Sequence, residues 1–240
     1  AIAGHQLRPL VDESAFLGLG GTIDRQAHLG GDGRTRLVEQ LATYATTARR
    51  LGATSIVFLG TEPIRRAADA AAVGHAIERG MGAPLYVLTH EEEAYLTLVG
   101  VTEGMPVTHE TLVLDIGGGS SEFCAVGPRG RARAVGLRIG SNRLTSRVGA
   151  ADPPTPADIA AMASVADAAL QDALDAQPEE IIAVGGTATN LLKVTSAGTP
   201  DRVLTHERLG EAMTALAASP SEPYLRTLAT CRSRNCSRRG

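Results

Sequence analysis

The segment Leu112-Val113-Leu114-Asp115-Ile116-Gly117-Gly118-Gly119-Ser120-Ser121-Glu122 constrains this chain more than any other. An apolar run ends on an acid, three glycines follow, and a second strand-like run begins at once. The backbone must therefore double back in a tight link. Thr111–Ile116, Ser121–Val126 and Arg131–Ile139 read as three successive strands, the last two joined by the hairpin-turn sequence Gly127-Pro128-Arg129-Gly130. Beyond them the spacing predicts a long helix from Pro156 to Ala176 with Thr155 as its N-cap. A buried strand over Glu179–Val184 and a helix over Ala188–Val194 follow.

The first half alternates differently. His5–Val11 is a short strand candidate, and the glycine-rich stretch Gly18–Gly33 reads as a loop. Leu37, Leu41, Tyr44, Ala45, Ala48 and Leu51 recur at helical spacing within Arg36–Leu51. A buried strand at Ser55–Gly60 then leads to a helix over Ile64–Arg79. A strand at Leu85–Leu88 and a helix over His90–Val101 complete this half. Gly104 and Pro106 mark a linker, so the chain divides into residues 1–106, residues 107–219 and a disordered basic tail, 220–240, in which Arg226–Gly240 holds five arginines.

Four segments carry chemistry. Consecutive glycines at Gly117, Gly118 and Gly119 let backbone N–H groups converge on an anion, and Ser120 and Ser121 add hydroxyl donors. A tight turn requiring positive φ is the alternative reading. Asp115, at a strand end, is placed to hold a hydrated metal ion or orient water. Gly185-Gly186-Thr187 opens a second helix after a buried strand, either as another anion-binding helix start or as a turn with Thr187 as N-cap. In Gly60-Thr61-Glu62-Pro63-Ile64-Arg65-Arg66, two arginines in the first turn of a helix oppose its dipole and suggest a nearby anion, the alternative being a solvated helix start capped by Thr61. Thr89-His90-Glu91-Glu92-Glu93 places three acids at a helix start, where they complement the dipole; the alternative is that one or two face a cleft and take a proton from water.

Composition removes several functions. A net charge of −3 gives no general attraction to nucleic acid or anionic membrane. With aromatics at 3% and no Trp, stacking platforms for single strands are disfavoured. No apolar run approaches the roughly 18 residues a membrane span needs. Three cysteines, Cys124, Cys231 and Cys236, with no secretory signal, predict reduced thiols and a cytoplasmic protein.

Together these motifs resemble the exopolyphosphatase/guanosine pentaphosphate phosphatase (Ppx/GppA) family. The family's strand–T-x-x-x-R-x-A–helix, E-E-A helix start, D-I-G-G-G-S-[ST]-E loop and G-G-T turn occur here in its order. Gly136-Leu137-Arg138-Ile139-Gly140 matches its G-x-x-x-G segment. The resemblance implies an α/β fold of two ribonuclease-H-like domains of the actin-like ATPase superfamily, the first lacking its opening strand or strands. It implies that Glu93 is the base activating water and that Arg65 grips the phosphate to be cleaved. Asp115 and Glu122 then hold Mg²⁺, while Gly117 to Ser121, with Gly185, Gly186 and Thr187, cradle phosphate. The implied substrates are polyphosphate or a phosphorylated guanosine nucleotide, and oligomeric state is left open, a homodimer included.

The family's first phosphate loop, D-x-G-[ST]-N-S, does not occur in this sequence, which reads as a chain beginning just after it. The expectation is a polypeptide shortened at both ends. Its rivals are an actin-like small-molecule kinase and a non-catalytic module that binds a phosphorylated alarmone.

Overall fold

In the computed structural model, the described residues are 2–3, 6–7, 9–171, 173, 175–195 and 202–221. The basic tail from residue 222, with Cys231 and Cys236, lies outside them. Two short strands, β1 (Ile2–Ala3) and β2 (Gln6–Leu7), pair antiparallel near the start of the chain.

The Gly18–Gly33 stretch is helical, against the loop expected from its glycines. Helix α1 (Leu19–Gln26) buries Ile23, and α2 runs from Gly30 to Arg50, starting six residues before the periodicity does. A distant residue explains the early start. The Asp69 carboxylate accepts hydrogen bonds from the amides of Leu29 (2.8 Å) and Gly30 (3.0 Å) and pairs with Arg34 at 2.8 Å. Burial pushes the Asp69 carboxyl up, but these hydrogen bonds outweigh it and hold the group below the usual range. A cap supplied from 39 residues away leaves no local trace in sequence.

Strand β3 (Phe58–Gly60) occupies only the end of the expected Ser55–Gly60 run and pairs in parallel with β4 (Leu85–Val87). The single helix expected over Ile64–Arg79 is two: α3 (Glu62–Arg66) and α4 (Ala70–Met81). Ala67 turns extended between them, and the Ala68 amide donates to Ala27 O at 2.8 Å, tying the break to the end of α1. Leu29, Leu37, Phe58, Ile64, Val73 and Ile77 form the core of this half.

The second half follows the sequence more closely. Strands β5 (Thr111–Ile116), β6 (Ser121–Val126) and β7 (Ala132–Leu137) form an antiparallel meander. Gly130 closes the second turn at φ +73°, donating to Gly127 O. Helix α5 (His90–Thr102) packs on this sheet, and its Ala94 and Leu98, one turn apart, join Val113, Cys124 and Val126 in a second core.

After α6 (Ser141–Val148) and α7 (Pro156–Leu170), strand β8 (Glu180–Val184) returns parallel to β5, giving the order β7-β6-β5-β8. Thr155 caps α7 as expected, in a reciprocal box with Asp158. Helices α8 (Gly185–Thr195) and α9 (His206–Ala218) end the described chain. Sequence reading omitted α6 and α9, which bury one residue between them, Ala212. Among the described residues no helix is long and apolar enough to cross a membrane.

Candidate functional site

The parallel strands β3 and β4, with β5 and β8, deliver their carboxyl ends to one region, where open α/β folds place their ligands. β3 leads into α3, which carries Glu62, Arg65 and Arg66. β4 leads into α5, which carries His90 and Glu93. β5 ends on Asp115 and the glycine loop, and β6 begins with Ser121 and Glu122.

At the start of α5 the three acids take separate roles. Glu92 closes the capping box with Thr89, Glu91 is exposed, and Glu93 is half-buried and turned inward. Both terminal nitrogens of Arg65 lie 3.3 Å from Glu93 Oε2, and Arg65 also donates to Leu88 O. Arg65 and Arg66 fall in the last turn of the short α3, where positive charge is favourable. The premise that they oppose a helix dipole therefore fails, because the helix breaks at Ala67. Arg65 is engaged by carboxylates instead.

His90 joins this centre. Its Nδ1 is 2.8 Å from Glu122 Oε1 and 3.0 Å from Arg65 Nη2, and Arg65 is 4.0 Å from Glu122. One ring nitrogen can donate to the carboxylate or accept from the guanidinium, not both. Glu122 is almost fully buried, at 2% side-chain exposure. His90, Glu93 and Glu122 each offer a ligand atom within 4.8 Å of the others. Asp115, paired across the strands with Glu122, stands outside that group.

Burial first, then repulsion from Glu122, pushes the Glu93 carboxyl up, and Arg65 opposes this only in part. The same two causes raise Asp115. Three carboxylates thus share the region with Arg65, and their oxygens, with one imidazole, suit a hard divalent cation of the Mg²⁺ or Mn²⁺ kind. His90 was missed in the sequence. Its signal was the His-x-x-Glu spacing to Glu93, which puts both on one face of a helix.

The glycine loop is a tight turn: Gly117 N donates to Ser120 O at 3.0 Å. None of its glycines has positive φ. They are required by close approach instead. A side chain on Gly118 would meet Asn142 Nδ2 at 2.8 Å, and one on Gly119 would run into the Glu62 carboxylate. The carbonyls of Gly117 and Gly118 accept from Ser141 N and Arg143 N, and Gly119 O accepts from Arg143 Nε at 2.8 Å. Among the described residues the amides of Gly118 and Gly119 donate to no carbonyl or side chain.

Ser120 and Ser121 are buried, and the Ser121 hydroxyl donates to Ile139 O at 2.7 Å, so it acts within the fold. Buried Glu62 bonds both Arg66 and Arg143, linking α3 to the loop. At the second turn, Gly185 has φ +83°, and a side chain there would strike Asp115 Oδ1. Helix α8 begins at Gly185, so Thr187 lies inside it and is not an N-cap; Gly186 is exposed at its start.

A cleft of about 600 Å³ opens beside Arg65, lined also by Ile23, Asp24, Ala27, Arg66, His90 and Arg138.

The profile of the Ppx/GppA phosphatase family matches residues 1–229. Exopolyphosphatase 1 of Mycobacterium leprae is 26% identical over 203 residues, 82% of this chain and 60% of that protein. The chain thus spans less than two thirds of that curated relative's length. Among solved structures, a PPX-GPPA enzyme of Aquifex aeolicus superposes with TM-score 0.75 at 23% identity, covering 94% of this chain and 78% of the other. An exopolyphosphatase from Cytophaga hutchinsonii gives 0.78 at 21%, over 89% and 73%. These two likenesses concern the fold, which is the mixed α/β arrangement expected from the order of strands and helices.

Proposed function

Since the chain belongs to the Ppx/GppA phosphatase family, we propose that it releases terminal phosphate from inorganic polyphosphate, with guanosine pentaphosphate as a second substrate. The observation that carries this reading is the pairing of Glu93, a carboxylate with a raised pKa, with Arg65 at the edge of a cleft lined by three arginines.

The chain's end occupies the mouth of the glycine loop, where the Gly118 and Gly119 amides donate to its oxygens, and the start of α8 adds the Gly186 amide and Thr187. Arg65 exchanges Glu93 for a terminal phosphate oxygen. Freed in this way, Glu93 accepts a proton as a water oxygen bonds to phosphorus. The bridging P–O bond breaks, and its electron pair leaves with the shortened chain. Glu122 and His90 would hold Mg²⁺, and Asp115, across the strand pair from Glu122, would adjoin it. Bound there, the ion would supply positive charge against the transferred phosphoryl group.

The reading is tested by phosphate release from polyphosphate with Mg²⁺, beside an assay for ATP-dependent transfer to an acceptor. Release without transfer is expected; transfer without release would make the protein a kinase.

Stability gives a separate readout. Glu93 and Asp115 have raised pKa values, so their ionisation opposes folding. That cost is absent below the ordinary carboxylate range and in full effect above the folded values. Mg²⁺ is therefore expected to raise the melting temperature more at pH 8 than at pH 5. An equal shift at both would place the ion elsewhere.

A further inference from the structure

One cation of the cleft is left unused by the fold. Arg65 is held by Leu88 O and Glu93, and Arg66 by Glu62 and, at 2.8 Å, by Asp24. Arg138 is exposed, and among the described residues no hydrogen bond or ion pair engages its side chain. Its backbone, in contrast, is fixed on both sides. Leu137 pairs with Ser121 at the end of β7, Ile139 O accepts the Ser121 hydroxyl, and Gly140 lies against the backbone of Gly117–Gly119. A flexible guanidinium thus stands on a rigid mount beside the glycine loop and over the cleft.

We propose that Arg138 is a chain-binding residue that pairs with a phosphate farther along the substrate, and so selects long polyphosphate over short. This rests on the phosphohydrolase reading above. The argument is one of charge. Near Arg65 the carboxylates Glu93, Glu122 and Asp115 outnumber the arginine, so that region takes a polyanion's end only with a cation's help. Among the described residues Arg138 is in no ion pair, and Asp24, the carboxylate lining the same cleft, is already paired with Arg66. A guanidinium free of partners gains most from a phosphate, which it can grip through two parallel hydrogen bonds. A single terminal phosphate seated in the glycine loop leaves Arg138 to solvent. A linear chain carries negative charge along its whole length and can occupy both.

The test measures Kd and steady-state kinetics for long-chain polyphosphate and for tripolyphosphate. Four proteins are compared: the parent, Arg138→Ala, Arg138→Lys, and Arg129→Ala as an exposed charge control in the β6–β7 turn. Arg138→Ala is expected to weaken long-chain binding about five- to tenfold, with the loss on KM rather than kcat and tripolyphosphate within about twofold of the parent. Arg138→Lys should recover part of the loss, and Arg129→Ala should match the parent. Equal losses in Arg129→Ala and Arg138→Ala, or no loss in Arg138→Ala, would overturn the proposal. A parent that binds long chains without releasing phosphate would refute hydrolysis while the Kd comparison still decides on Arg138. A parent that binds no polyphosphate overturns both.

Discussion

Replacing Glu93 with Gln is expected to lower kcat for phosphate release by about 10³-fold, the usual scale for loss of a general base, with the fold retained. Gln keeps the shape of the side chain and its contact with Arg65, but has no lone pair basic enough to take a proton from water. The parent should also show an acid limb governed by Glu93. The group must be ionised to act, and burial with repulsion from Glu122 raises its pKa. Activity should therefore fall at a pH above the ordinary glutamate value of about 4.3, and the variant's residual rate should lack that limb. Equal rates in the two proteins at neutral pH would remove Glu93 from the mechanism.

Gly140→Ala is expected to destabilise the protein by about 2 kcal/mol, as overpacking does, and to raise KM for polyphosphate. Its φ of −152° is an extended conformation open to any residue, so the effect is one of space alone. A Cβ there would lie 2.6 Å from Gly118 C and Gly119 N and 2.7 Å from Gly117 O, all backbone atoms of the glycine loop. The loop or α6 must move, and with it the two amides proposed to hold phosphate. Gly74→Ala is the control: it sits in helix α4, and beyond its chain neighbours and its own helix backbone no atom lies within 4 Å of the added methyl. It should be neutral or stabilise by up to about 1 kcal/mol. A Gly140→Ala protein with parental melting temperature and KM would show that the loop's position is not set by this contact.

Legibility in the sequence followed the range of the interactions. The β5–β6–β7 meander and the β8–α8 step were readable because strand pattern, glycine link and turn residues all act over a few positions. The cap of α7 at Thr155 was local too; the box of Thr89 with Glu92 on α5 is equally local but was not read. Three of the errors fell where a distant group intervened. Asp69 starts α2 early, a bond from Ala68 to Ala27 ends α3, and burial of Ile23 makes a glycine-rich stretch helical. The glycine triplet was recognised, but for a different reason than its geometry supplies. Its residues avoid Asn142 and the Glu62 carboxylate rather than adopt positive φ.

The sequence by itself determined strands β3 to β8 in their order, the two glycine turns, and the residue types from which a phosphate chemistry could be built. These depend on spacing along the chain. Which of three adjacent glutamates turns inward, that His90 meets Glu122 across 32 positions, and that Ser121 is tied to Ile139 rather than presented to a ligand were decided only by tertiary structure. So was the difference between Arg65, held by carboxylates, and Arg138, left to solvent at the same cleft. The physical reason is common to all of them. Coulomb interactions, burial and close packing depend on distances through space, and those distances exist only once β3, β4, β5 and β8 have brought their ends together.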